Sequence, residues 1–247
     1  MLDRRVRLRP KPGAENYVYG DFGTPESSNS LLSILRQTNG MVWTYTPTIT
    51  EQHSANYEME QPIHTNAGYN NYKNTSNVTI NIVGDFISNT PTEALYNLAC
   101  LHFLRSMTKM DFGRKAAQSA NPDYAVVGAP PPILLLSGYG RFMYNDISVI
   151  VKSVNVSYPN DVDYVEVPVI ANEMGKIAHT LDGLGDYYKK AKYITQMDSA
   201  SAVYIPQKFT ITISLEEQPT PLWMTKKFNL NEFKSGKLLT RRSGGFL

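Results

Sequence analysis

Two pairs of neighbouring carboxylates are the arrangement in this chain that comes closest to a catalytic site. Asp161 precedes Asp163 by two residues, and Glu216 is followed directly by Glu217. A glycoside hydrolase holds two such groups about 5–10 Å apart across a cleft, one as an acid and the other as a base or nucleophile. Both pairs adjoin a predicted turn or strand end, where solvated carboxylates are ordinary. We therefore interpret both pairs as surface residues. Hydrolysis or carbohydrate binding is kept as one of the functions to be weighed for this protein.

Motifs for metals, nucleophiles and phosphates are missing from the sequence. The histidines have neither HxxxH nor HxH spacing and no cysteine cluster beside them; they are His53, His64, His102 and His179. Cys100, the only cysteine, occupies an apolar position of a predicted helix and is typical of a small core residue. The patterns GxGxxG, GxxxxGKS and GxSxG do not occur. These observations predict a protein that is not an enzyme and that holds no cofactor or metal.

The composition favours a protein rich in β-strands. It does not indicate a membrane protein or a strongly basic protein. The 247 residues carry a net charge of only +2, which does not by itself require a nucleic-acid or membrane partner. Sixteen tyrosines are more than a core needs, and tyrosine prefers sites such as subunit interfaces, where one end is dry and the other wet. No signal peptide opens the chain, and no apolar run approaches the ~18 residues of a membrane helix. We therefore expect synthesis in a cytosol and no membrane partner.

The strongest local signal is a helix that begins after Thr90. The run Thr90-Pro91-Thr92-Glu93 is a capping box with proline at the first helical position. We predict that the helix continues to Met110, that Gly113 stops it, and that its apolar face packs against a sheet.

Alternating apolar residues predict β-strands around this helix. The clearest are 78–82 and 209–215, and 133–136 is a short buried strand. In the long strand 147–158 the apolar phase changes at Lys152-Ser153, which predicts a β-bulge. Weaker patterns predict further elements, namely a short helix or strand at 31–35, a strand at 41–46, and a strand at 164–167 that returns from a turn at 159–161.

The chain is predicted to form one domain with appended arms. Residues 31–218 form the domain, which is mainly β with one principal α-helix, an α+β fold. Within it, 48–77 is predicted to be a β-hairpin or interface-forming arm, and 171–203 an insertion. Residues 1–30 and 219–247 are predicted to be extended arms at the two ends. The two terminal arms and 48–77 are polar and weakly periodic, so we expect them to serve assembly rather than folding.

Short segments spread along the chain carry a resemblance to one family of viral proteins. They are Asn56-Tyr57-Glu58, Asp85-Phe86-Ile87, Leu101-His102-Phe103-Leu104-Arg105-Ser106, Thr108-Lys109-Met110, Pro131-Pro132-Ile133-Leu134, Gly138-Tyr139-Gly140, Val151-Lys152-Ser153, Tyr158-Pro159-Asn160-Asp161-Val162-Asp163-Tyr164, Phe228-Asn229-Leu230, Phe233, Ser235-Gly236 and Gly244-Gly245-Phe246. As an ordered set over about two thirds of the chain, they resemble the tail-tube initiator proteins of contractile-tailed bacteriophages, also called baseplate tail-tube junction proteins.

The resemblance implies a tail-tube fold, in which antiparallel sheets curve into a barrel or sandwich with one helix alongside. It implies a homo-hexameric ring in the virion, assembled in the host bacterial cytoplasm, that joins the baseplate hub to the tail tube and initiates tube polymerisation. Further partners would be an adjacent tube or second initiator ring, the sheath and the tape-measure protein, and DNA would pass through the channel without specific binding. The first alternative is a carbohydrate-binding or hydrolytic component of the baseplate. The second is a single-stranded nucleic-acid binder, which would also use the aromatic residues, although such a site needs basic residues interleaved with them.

Basic and aromatic residues in the arms are the candidates for the assembly interface. Basic residues crowd both ends of the chain, and they gain favourable electrostatics only against an acidic neighbour. The candidate residues are Arg4, Arg5, Arg7, Arg9, Tyr57, Tyr69, Tyr72, Lys226, Lys227, Phe228, Phe233, Arg241 and Arg242.

Overall fold

The computed structural model describes residues 4–19, 31–110, 130–168, 202–239 and 247. Eleven strands lie in these ranges: β1 Arg7–Pro10, β2 Met41–Val42, β3 Thr48–Gln52, β4 Ala55–Glu60, β5 Tyr69–Thr75, β6 Thr79–Ile87, β7 Leu134–Gly138, β8 Tyr144–Ser157, β9 Tyr164–Pro168, β10 Ala202–Pro206 and β11 Lys208–Glu217. The helices are α1 Glu15–Tyr19, α2 Pro91–Ser106, α3 Pro221–Lys226 and α4 Leu230–Lys234, with a 3₁₀ helix at Leu31–Arg36. The predicted mainly β, α+β class is confirmed.

Seven strands form one antiparallel sheet. Its two edge strands, β2 and β3, follow each other directly in the sequence. Its order is β2-β1-β7-β8-β11-β6-β3. Seven flat strands would place the edges about 29 Å apart at about 4.8 Å per spacing, whereas the chain from Val42 to Thr48 spans at most about 22 Å. The sheet must therefore curl, and Trp43 lies inside it against Gly84 of β6, where a Cβ would clash with the indole. Among the described strands β2 and β3 remain open edges, so the predicted barrel is not closed.

Burial alternates along the central strands as the sequence predicted. On β11 the side chains of Phe209, Ile211, Ile213 and Leu215 are buried and the residues between them are not. On β8 the pairing with β11 passes from Ser214–Ser153 to Leu215–Val151, which leaves Lys152 as an extra residue. The predicted bulge at Lys152-Ser153 is thus confirmed. It keeps the valines on either side of it on the core face of one continuous strand.

Helix α2 covers the core side of the sheet. The capping box is confirmed, since the Glu93 N–H donates to the Thr90 hydroxyl and the Thr90 N–H donates to the Glu93 carboxylate, both at 3.3 Å. The helix ends at Ser106 with Met107 as its C-cap, so the predicted extension to Met110 is wrong, and Gly113 lies outside the described residues. Its fully buried side chains include Phe103 and Leu104, which pack in the same cluster as the strands.

Loss of the cap should weaken α2 by a measurable amount. In Thr90→Ala the acceptor for the Glu93 N–H disappears, and such substitutions cost about 1 kcal/mol. We expect the midpoint of urea denaturation to fall accordingly, while Thr92→Ala, two residues further on, leaves it nearly unchanged. Equal midpoints for both variants would show that the cap does not contribute to the stability of the fold.

The prediction of an extended arm over residues 1–30 is wrong for its middle part. β1 lies inside the sheet, paired with β2 on one side and β7 on the other. Val6 and Leu8 are buried, whereas Arg7 and Arg9, which alternate with them, face the other side of the strand. Residues 1–3 and 20–30 lie outside the described residues.

Three other elements differ from their predictions. The strand expected at 41–46 is limited to Met41–Val42, because the chain bends after Trp43 towards the other edge of the sheet. β9 does not return along β8 but pairs with β10 in a separate two-stranded sheet. The expected insertion at 171–203 lies outside the described residues except for its last two, which belong to β10.

Candidate assembly surfaces

The predicted hairpin within 48–77 is confirmed, and it projects from the sheet. β4 follows β3 after two residues, and β5 ends three residues before β6, so β4 and β5 prolong the ribbon made by β3 and β6. The Ser76 N–H donates to the Ser54 carbonyl at 3.0 Å, where the two ribbons join. Every residue of β4 and β5 is exposed. We call residues 55–75 the projecting hairpin.

One face of the projecting hairpin is apolar although it lies in solvent. Tyr57 pairs with Tyr72 across the strands, with ring centroids 5.8 Å apart and an interplanar angle of 73°. Met59 lies two residues further along the same face, and Ile63 at the tip is 85% exposed. Such a cluster of large side chains on a two-stranded ribbon has no core of its own to cover it.

The other face of the projecting hairpin is polar and acidic. Glu58 forms an ion pair with Lys73 at 3.6 Å, and the Asn71 amide donates to Glu60 at 2.8 Å. Tyr69 pairs with Glu60 on this face, so the structure places Tyr69 apart from Tyr57 and Tyr72. The projecting hairpin is therefore amphipathic, with one apolar face and one polar face.

A second exposed surface is the outer side of strands β3, β6, β11 and β8, which we call the polar face. Cross-strand pairing aligns its central residues in two rows: Thr48, Val83, Thr212 and Asn155, then Thr50, Asn81, Ser214 and Ser153. None of them is charged, and all but Val83 are serine, threonine or asparagine. The surface can offer hydroxyl and amide hydrogen bonds to water or a ligand, and no fixed charge.

Charges border the polar face as ion pairs. Lys208 contacts Asp85 at 3.1 Å on one side, and Lys152 contacts Glu216 at 2.8 Å on the other. The Thr210 hydroxyl and then the Lys208 ammonium lower the pKa of Asp85, and Lys152 followed by Asn77 lowers the pKa of Glu216. Both carboxylates therefore stay ionised at neutral pH, and each is balanced by a lysine.

The N-terminal candidates divide between surface and sheet. Arg4 and Arg5 are exposed, as an interface residue should be. Arg7 and Arg9 belong to β1 and are half-buried, and Arg9 is bound to Asp146 at 2.9 Å. The prediction that all four arginines belong to an assembly arm is therefore wrong for Arg7 and Arg9.

The C-terminal candidates lie on short helices, and the segment then returns to the sheet. Lys226 ends α3, and the Phe228 ring lies 5.9 Å from that of Phe233 in α4. Leu238 is fully buried, and the Asn145 amide donates to the Leu239 carbonyl at 2.7 Å. The C-terminal arm is thus attached at 238–239. Arg241 and Arg242 lie outside the described residues.

Glu217 is the notable residue that sequence reasoning missed. It was predicted to lie on the surface, yet it is only 6% exposed, and burial raises the pKa of its carboxyl group to about 7. The Leu247 N–H donates to it at 3.5 Å. The signal was present in the sequence, because Glu217 continues the i, i+2 series of buried residues that begins at Phe209. Glu216 and Glu217 point to opposite sides of β11, so they do not face one cleft.

Other groups with chemical potential are buried or separated. Cys100 is fully buried, and this desolvation raises the pKa of its thiol, as expected of a core residue. Asp161, Asp163 and His102 are exposed. Within the described part of the chain, no group of three or more histidine, cysteine, aspartate or glutamate side chains is placed to hold a metal ion.

A cavity of about 270 Å³ lies between the 3₁₀ helix, β2 and the first turns of α2. Three polar side chains that line it from α2 are engaged in the fold. The Tyr96 hydroxyl accepts the Val42 N–H at 2.9 Å, Asn97 donates to the Ile87 carbonyl at 3.0 Å, and Glu93 belongs to the capping box. We assign the cavity no chemistry.

Among the described helices, none is long and apolar enough to cross a membrane. Comparison of the sequence with models of known protein families and with curated proteins finds no match.

Proposed function

We propose that this chain is a structural subunit of a contractile bacteriophage tail. Six copies form a ring that joins the baseplate hub to the tail tube and initiates tube polymerisation. The observation that carries the proposal is the projecting hairpin, whose strand residues are all exposed in the single chain. The ordered sequence resemblance supports the choice of family, and the hairpin supplies the physical reason to expect assembly.

The projecting hairpin is difficult to stabilise in a single chain. An isolated two-stranded ribbon is marginally stable in water, because it orders many residues and buries little apolar surface. Here it also exposes Tyr57, Met59, Tyr72 and Ile63. Contact with another subunit would cover these side chains and offset the cost of ordering them.

The open edges of the sheet also support a ring. β2 and β3 end the strand order, and β3 has five residues whose outer backbone groups can pair with another strand. In a ring, edges of neighbouring subunits can join and complete a barrel that the single chain leaves open. The tail-tube-like architecture belongs to this proposed assembly.

The polar face is suited to line the DNA channel. DNA must slide through a tail tube, and lysine or arginine contacts to phosphates would hold it back. The central rows of this face are uncharged, and the lysines at their borders are paired with carboxylates. In the proposed ring this face points inwards.

An assembled ring should bind duplex DNA weakly through this face. We expect that raising its positive charge with Thr50→Lys and Thr212→Lys increases the affinity and makes it salt-dependent, because each new lysine can neutralise a phosphate. Fluorescence anisotropy of a labelled duplex at several salt concentrations measures both effects. Tight, salt-sensitive binding by the unaltered ring, with no change in the lysine variant, would contradict a channel role for the polar face.

The initiator role is tested by seeding. Purified rings, mixed with the tube subunit of the same phage, should shorten the lag before tubes form, as followed by light scattering and electron microscopy. A variant in which residues 55–75 are replaced by Asn-Gly is the control, since it keeps the sheet and removes the projecting hairpin. The proposal would be contradicted if the lag were the same with intact rings, with the hairpin-deleted variant and with neither protein. Adjacent initiator rings, the sheath and the tape-measure protein are the further partners that the proposal implies.

A further inference from the structure

The projecting hairpin and the C-terminal segment 218–239 lie at the same end of the sheet. β6 begins at Thr79, which pairs with Glu216 near the end of β11, so the chain enters the hairpin and the C-terminal segment from neighbouring positions. The C-terminal segment then passes the turn between β7 and β8, since Gly236 lies against Phe142. α2 and the β9–β10 pair begin from the opposite end, beside Ile87 and Lys208.

The two elements have complementary surfaces. Residues 55–75 contain two glutamates and one lysine, a net charge of −1, whereas residues 221–239 contain four lysines and one glutamate, a net charge of +3. Both elements also expose large apolar side chains. Those of the hairpin are Tyr57, Met59, Ile63 and Tyr72, and those of the C-terminal segment include Leu222, Met224 and Leu230.

We infer that the projecting hairpin of one subunit docks on residues 221–234 of a second copy of this chain. The apolar side chains of the two elements pack together, and lysines of the C-terminal segment, which have long side chains, reach round the edge of the two-stranded ribbon towards Glu58 and Glu60 on its other face. Opposite charges set the orientation and speed the encounter, while the apolar contact supplies most of the affinity. The inference rests on the proposed function and names the surfaces that form its ring.

The occupant is a second copy because the hairpin does not dock on the C-terminal segment of its own chain. All residues of β4 and β5 remain exposed in the presence of that segment. The contact joins two different surfaces, so each subunit offers one of each to its neighbours and the contact can repeat from subunit to subunit around a ring.

Cysteine cross-linking tests the pairing directly. Cys100 is the only cysteine and is fully buried, so an introduced surface cysteine is the reactive one. Met59→Cys and Leu222→Cys proteins are mixed and treated with a short bismaleimide. We expect a covalent dimer in the mixture that neither protein gives alone. Tyr204→Cys, exposed on β10 at the opposite end, replaces Leu222→Cys as the control and should give no dimer.

Charge reversal separates failure of this pairing from failure of the proposed function. Glu58→Lys with Glu60→Lys, or Lys226→Glu with Lys234→Glu, should each raise the concentration for half-assembly about tenfold or more, because like charges then meet. The two sets combined should restore assembly. Rings that form equally well in every variant, without the Met59–Leu222 cross-link, would overturn the pairing and leave the ring intact. Absence of self-association in the unaltered protein would overturn both.

Discussion

Deleting residues 1–12 should leave a subunit that does not fold. The deletion removes β1, which separates β2 from β7, and exposes the backbone edge of β7. It also removes Val6 and Leu8 from the core, where truncation of one buried leucine to alanine alone costs about 2–5 kcal/mol. Since a domain has only about 5–15 kcal/mol of stability, the loss should abolish the cooperative thermal transition seen by circular dichroism.

A matched deletion, that of the projecting hairpin, should have little effect on folding. Replacing residues 55–75 by Asn-Gly removes more residues than the first deletion, but all the strand residues that it removes are exposed. We expect a thermal midpoint close to that of the intact chain and a large loss of self-association. A folded, stable protein lacking residues 1–12 would contradict the position of β1 in the sheet.

Glu217→Gln should stabilise the protein at alkaline pH and have little effect near pH 4. Burial raises the pKa of this carboxyl group from 4.5 to about 7, so the folded state binds its proton more tightly than the unfolded state. The stability that this proton contributes is complete below pH 4.5 and is lost as the pH rises through 7. The loss is about 3 kcal/mol at 1.36 kcal/mol per pKa unit. Glutamine is neutral at every pH, so the variant keeps this stability as the pH rises.

Glu216→Gln is the control, because its effect on the pH dependence of stability should have the opposite sign to that of Glu217→Gln. Lys152 and Asn77 lower the pKa of Glu216, so its contribution to stability is present above its unfolded pKa and is lost as the pH falls. Urea denaturation of both variants and the parent between pH 4 and pH 8.5 separates the two cases. Identical pH profiles for Glu217→Gln and the parent would show that Glu217 is not buried as a neutral acid.

Local patterns predicted the parts of the fold that depend on near neighbours. The capping box at Thr90 fixes the start of α2 through contacts within four residues. The alternation in β6 and β11 and the phase change at Lys152 follow from the two-residue period of a strand. These features are written in short stretches of sequence, and the structure contains all of them.

The sequence-based predictions were wrong where a strand pairs with a distant segment of the chain, or where charged residues masked the alternation of a strand. Val6 and Leu8 alternate with arginines as strand residues do, but the run of positive charge favoured a solvated arm. β1 pairs with β7, more than 120 residues away, and no local feature announces this pairing. Among the interface candidates, the hairpin tyrosines are exposed, but Tyr69 lies on the face opposite Tyr57 and Tyr72, because Tyr69 and Tyr72 are an odd number of residues apart in one strand.

Imaging of the purified chain tests the central claim of a ring most directly. Mass photometry should show a species near 166 kDa, six times the 27.7 kDa subunit. Negative-stain electron microscopy of the same sample should show six-fold rings with an open channel, and both signals should weaken as added salt screens the charged contacts. A monomer at every concentration and salt condition, or a closed two-fold dimer, would contradict the account.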